Sequence, residues 1–133
     1  MDPEPLVKDN ANAMLEIAKA FADAGFHIQE VYLIKNVTLE DAVFWHLRLV
    51  TDDDPRELIY KLVRFRRDGV LPELDEDLRV QAIRPSSLEA SRILKYAARV
   101  RQRPLIIRNT PIEGLYVEYA VVAGWSERHV AAA

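Results

Sequence analysis

The sequence predicts an α+β fold. It reads as a single domain over 1–133 with element order α-β-β-α-β-α-β-β, in two layers, a mostly antiparallel or mixed sheet with helices on one face. Three observations carry this reading. Apolar residues recur at spacings of three and four near 6–24, 55–67 and 86–103, which is the helical period. Runs rich in β-branched and aromatic residues occupy 26–36, 41–51, 78–84, 103–109 and 115–124. Breakers and caps separate them: Gly25, Asp54-Pro55, Asp68-Gly69, Pro85 and Gly114. Residues 1–5 and 126–133 read as flexible tails.

In the first helix, Met14, Ile17, Ala18, Phe21 and Ala22 form one apolar stripe, and Gly25 follows as a left-handed stop. The next two segments pair as an antiparallel hairpin across VTLE, with Val43, Trp45, Leu47 and Leu49 facing the core. Their other side, Phe44, His46, Arg48 and Val50, is mixed. Asp54 can cap the second helix, Pro55 suits its first position, and Glu57 completes a capping-box spacing. Leu58, Ile59, Leu62, Val63 and Phe65 are the expected buried stripe of that helix, and VLPELDED is an acidic connection after it. A short strand, LRVQAIR, leads into Ser86-x-x-Glu89, a second capping box. Ala90, Ile93, Leu94, Ala97 and Val100 then face inward. The last two strands join through TPIEG, with Leu115, Val117, Tyr119 and Val121 on one side of the final strand and Tyr116, Glu118 and Ala120 on the other.

Composition excludes several classes of chemistry. The chain has no cysteine, so disulfides, thiolate metal sites and thiol catalysis are absent, and a reducing, cytoplasmic location fits. The four glycines are isolated, which removes the Gly-rich phosphate loops. No serine sits in a nucleophile elbow. His27, His46 and His129 do not have metal-motif spacing, and structural or surface roles fit them better. Asp52-Asp53-Asp54 invites a metal, but acids at a helix start more commonly serve its N–H groups and dipole. No apolar run is long enough to span a bilayer, and the acidic first helix suits a membrane surface poorly. Neither cofactor nor membrane association is therefore expected, and no catalytic residue can be named.

The strand–helix–strand order of LRVQAIR, SSLEASRILKYAARV and RPLIIR is similar to the core of restriction-endonuclease-like nucleases. In that family a Glu-x-Lys on the first strand helps hold magnesium. Gln81-Ala82-Ile83 stand in its place here and cannot bind metal, so the resemblance implies at most an inactive scaffold. An enzyme reading otherwise needs a site gathered from scattered residues, such as His46 with Glu30 or Asp41.

Charge is polarised along the chain. Residues 1–55 hold four cations against eleven acids, 56–108 thirteen against seven, and 109–133 one against three. Arginine outnumbers lysine thirteen to five, which favours forked contacts to carboxylate or phosphate. Lys61, Arg64, Arg66 and Arg67 on the second helix and Arg92, Lys95, Arg99, Arg101 and Arg103 on the third can merge into one positive face, with Tyr60 and Tyr96 among them. Nucleic acid is one partner for such a face, although the chain as a whole is acidic. The preferred reading is a protein-interaction or adaptor module, homodimeric, with Arg64, Arg67, Arg92, Lys95 and Arg99 as charged contacts and Trp45 and Tyr116 as apolar anchors. A protein partner, a second copy included, is thus expected first and nucleic acid second.

Overall fold

A computed structural model describes residues 3–37, 43–71 and 78–125 of the chain. The elements are α1 (Pro3–Asp23), β1 (Glu30–Val37), β2 (Val43–Val50), α2 (Pro55–Asp68), β3 (Leu78–Ile83), α3 (Leu88–Ala98), β4 (Leu105–Ile112) and β5 (Leu115–Val122). This is the expected α+β order in a single small domain. The expected VTLE turn lies mostly outside the described residues, as do most of the acidic connection and the C-terminal tail with His129.

One mixed sheet has the strand order β3-β2-β1-β5-β4. β1 and β2 form the expected antiparallel hairpin, from Glu30 opposite Val50 to Val37 opposite Val43. A parallel partner needs a crossover, and α2 supplies it, carrying the chain from β2 to β3. β5 adds antiparallel to the other side of β1, and β4 pairs antiparallel with β5. The β1–β2 hairpin is therefore interior, and the sheet edges are β3 and β4. β3 and β4 share no ladder, so the nuclease-like strand–helix–strand unit does not form a contiguous core.

The helices cover both faces, giving three layers where the sequence indicates two. Val31, Leu33, Leu47 and Leu49 pack against Ile17 and Phe21 of α1 and Leu58 and Leu62 of α2. Tyr32, Ile34 and Val50 point the other way and pack with Ala90, Ile93 and Ala97 of α3. The cause lies in β1, where Val31, Tyr32, Leu33 and Ile34 are all buried in succession. A strand apolar on both sides needs cover on both. No helix among the described residues is long and apolar enough to cross a membrane.

Three local expectations change. In α2, only Leu58 and Leu62 are buried, with Phe65 packed at the edge, while Ile59 and Val63 face outward. In β5, Leu115 and Val117 join the α3 cluster, whereas Tyr119 and Val121 join the opposite one. Asn109, opposite this break on β4, has a left-handed φ of 45°, and burial along β4 changes phase there, from Leu105 and Ile107 to Ile112. The β4–β5 turn is Glu113-Gly114, with φ of 44° and 89°, the double positive geometry of a tight two-residue hairpin. Finally, α3 is capped by Ser87 and not Ser86: its Oγ accepts the Ala90 N–H at 3.1 Å. That shift of one residue frees Glu89 for another role.

The α2 geometry predicts opposite outcomes for neighbouring truncations. Leu58→Ala is expected to cost about 2–5 kcal/mol in urea denaturation, as for a fully buried leucine. Ile59→Ala is expected to stay within about 0.5 kcal/mol, since half its surface already meets water.

Candidate interaction surface and a polar network

α2 begins with Asp54, whose Oδ1 accepts the Arg56 N–H at 2.9 Å, followed by Pro55 at the first helical position. It ends at Gly69, whose φ of 67° closes the last turn. The helix is anchored by Leu58, Leu62 and the edge of Phe65, whose ring meets Phe21 at 5.1 Å. Its outer face holds Ile59, Tyr60 and Val63, which are 52, 70 and 60 % exposed, with Val70 exposed just beyond the cap. Arg56, Lys61, Arg64, Arg66 and Arg67 accompany them against Glu57 and Asp68. Among the described residues, Arg56 pairs with Asp54 at 3.6 Å and Arg67 with Asp68 at 3.4 Å. Lys61 folds over the Phe65 ring, 5.4 Å from its centroid. Arg56, Arg64, Arg66 and Arg67 are exposed beside these large apolar side chains.

α3 lies on the opposite face of the sheet, so the two basic helices do not merge into one positive surface. The cations of α3 are also more committed. Arg92 Nε donates to the Glu113 carbonyl at 3.0 Å, and Lys95 Nζ reaches the Glu113 carboxylate at 3.4 Å. Arg103 donates to the carbonyls of Ala97, Val100 and Gln102 at 3.0, 2.6 and 2.8 Å, closing the end of α3. Arg99 is exposed at the C-cap. Trp45 is half-buried, edge to face with Tyr119 at 5.5 Å, and belongs to the α1/α2 core. Tyr116 is exposed, its hydroxyl bonded to Asn109. Of the expected interface residues, Arg64 and Arg67 share one face of the molecule, and Arg92, Lys95 and Arg99 share the other.

A polar network fills the α3 side of the sheet where the apolar cluster ends. Glu89 Oε1 accepts both the Tyr32 hydroxyl at 2.6 Å and Arg48 Nε at 3.1 Å. Arg48 Nη1 also donates to Gln81 Oε1, and His46 Nδ1 lies 3.3 Å from that oxygen. With arginine as a second donor to Gln81, the neutral tautomer with Nδ1–H toward Gln81 fits best. Burial pushes the Tyr32 phenol well above its ordinary range, and Glu89 adds to the shift. Burial, then the Arg48 charge, lowers the His46 imidazole. Tyr32, Arg48, Gln81 and Glu89 come from β1, β2, β3 and α3, so the network ties four elements together.

Other candidates for chemistry resolve into structure. His46 pairs with Ile34 and Glu30 with Val50, which places the two at well-separated positions of the β1–β2 ladder. Asp41 lies outside the described residues. Glu30 is buried and accepts the Trp125 N–H at 2.7 Å, while Trp125 Nε1 donates to the Ile28 carbonyl at 2.9 Å. In the aspartate run, Asp54 caps α2 and Asp53 accepts the His27 N–H at 2.7 Å, a bond that lowers its carboxyl. No cluster of metal-ligating side chains occurs among the described residues. The α2 surface had one signal in the sequence: Tyr60 among arginines. Its exposed Ile59 and Val63 had none, because a helical stripe does not say how much of itself is covered. Comparison with protein-family models, with curated proteins and with solved structures found no match to this chain.

Two measurements follow from the network. Glu89→Ala, which strips a buried phenol and a guanidinium of their shared acceptor, is expected to cost on the order of 2–4 kcal/mol in urea denaturation. Because the folded His46 binds a proton less readily than the unfolded chain, its share of stability is full above its ordinary value of 6.5. That share is lost as pH falls below this value. Urea midpoints followed through the histidine range should drop on the acid side, and His46→Leu should flatten that slope.

Proposed function

We propose that the chain is a protein-interaction or adaptor module that engages a partner protein through the outer face of α2. The carrying observation is the exposure of Ile59, Tyr60 and Val63 together on one well-capped, well-anchored helix among arginines. Aromatic and aliphatic anchors beside arginine are the composition of interface centres. Clustered large apolar side chains in water also favour a covering surface. A cytoplasmic setting belongs to the same reading and is supported by the absence of cysteine.

Nucleic acid is the weaker alternative. Separation of the two basic helices and the engagement of Arg92 and Lys95 with Glu113 leave less contiguous positive surface than such binding needs. A second copy of the chain is the alternative protein partner.

The test compares the wild type with Ile59→Asp/Val63→Asp. Partner proteins captured from lysate by the wild type should be lost from the variant, while the urea midpoint stays within error. Identical capture by both would remove α2 as the binding face. Salt-sensitive anisotropy with labelled DNA or RNA would instead promote the nucleic-acid alternative.

A further inference from the structure

We infer that the segment received by α2 is an acidic amphipathic helix of a partner protein. This rests on the reading of α2 as the binding face and names the chemistry of its occupant.

Positions 56, 60, 63 and 67 follow one another at the spacings of a single helical stripe, opposite the anchored pair Leu58 and Leu62. Along that stripe the order is Arg56, Tyr60, Val63, Arg67: a cation, two apolar side chains, a cation. Ile59 widens the apolar centre on one side, and Arg64 and Arg66 add charge on the two flanks. Arg56 is paired with Asp54 and Arg67 with Asp68. The net positive charge beside the apolar centre therefore lies in the C-terminal half of the helix, on Arg64, Arg66 and Arg67. A segment with an apolar middle and acids over that half matches it. α2 spans about 21 Å at the rise of an α-helix, and its convex, regular face suits the ridges of another helix. The complementary segment carries apolar residues three or four apart, with Asp or Glu along its edges and beyond them at the end that meets Arg64, Arg66 and Arg67. Arginine forks then meet carboxylates at a rim that the apolar contact shields from water.

The same pattern argues against the other occupants. A lipid surface asks for an unbroken apolar stripe with cations to its sides, but Arg56 and Arg67 stand in line with the apolar residues. The inner face of α2 is already in the core, so the helix cannot roll to correct this. Phosphate backbones gain nothing from Ile59, Tyr60 and Val63, and Glu57 and Asp68 repel them. Two α2 helices facing each other would oppose five cations and two acids with the same set, a like-charge pairing.

The probe is a designed helical peptide with leucines along one face and glutamates along both edges, and its control replaces every glutamate with lysine. Titration calorimetry with the full chain should show binding to the acidic peptide and none to the lysine form. Tyr60→Ala/Val63→Ala and Arg64→Glu/Arg67→Glu should each weaken binding about tenfold or more, with unchanged circular dichroism. Added salt should weaken the wild-type complex. Equal binding of both peptides, no binding to either, or indifference to the substitutions would overturn the inference. So would binding to phosphatidylglycerol vesicles, or dimerisation in sedimentation, that these substitutions abolish; the face would then belong to lipid or to a second copy. If lysate capture depends on α2 while the acidic peptide fails, only the occupant is wrong. If capture ignores α2, the binding face itself is wrong.

Discussion

Val31, Tyr32, Leu33 and Ile34 form a strand segment with no side turned toward water. Their backbone groups are served by β2 on one side and β5 on the other, which makes β1 the centre of the sheet. Alternate side chains then point to opposite faces, and each face needs its own apolar cover. α1 and α2 supply one and α3 the other. The division of the basic residues between two sides of the molecule follows directly from this. It is a by-product of how a two-sided strand is covered.

The polar network marks where cover on the α3 side runs out. Tyr32 carries its hydroxyl into the interior, and a buried phenol needs an acceptor. Glu89 provides it because Ser87 has taken over the cap. The same carboxylate holds Arg48, and Arg48 in turn holds Gln81 on the edge strand. A helix of eleven residues, seated on the sheet by Ala90, Ile93 and Ala97, gains a polar tie at its first turn. Glu30 does similar work at the far end, where its buried carboxylate receives the Trp125 N–H. Both glutamates hold neighbouring elements through these hydrogen bonds.

What is left outward is uneven. Arg92 and Lys95 of α3 are held at the hairpin turn by Glu113, and Arg103 beyond the helix end holds the carbonyls of Ala97, Val100 and Gln102. On α2, Ile59, Tyr60 and Val63 stand exposed together beside exposed arginines. Such a face costs solvation free energy while uncovered and returns it on binding, at about 25 cal/mol for each Å² of apolar surface removed from water.

Element order was legible in the residues because it rests on local physics. The helical stripe of Met14, Ile17, Ala18 and Phe21, the Asp54-Pro55 start and the β-branched run of β1 each act within a few neighbours. The α+β class followed from them. Which face each helix covers was not legible, since that depends on strands far apart in the chain meeting in the order β3-β2-β1-β5-β4. Ile59 and Val63 have the same local pattern as Leu58 and Leu62, and only the width of the contact with the sheet separates them. The one-residue shift of the α3 cap was hidden for a similar reason: Ser86 and Ser87 both qualify locally, and the pull of Tyr32 and Arg48 on Glu89 is tertiary. The sequence by itself determined the elements and the charge each carries. Packing on a two-sided sheet decided which of those charges and apolar groups remain in water together.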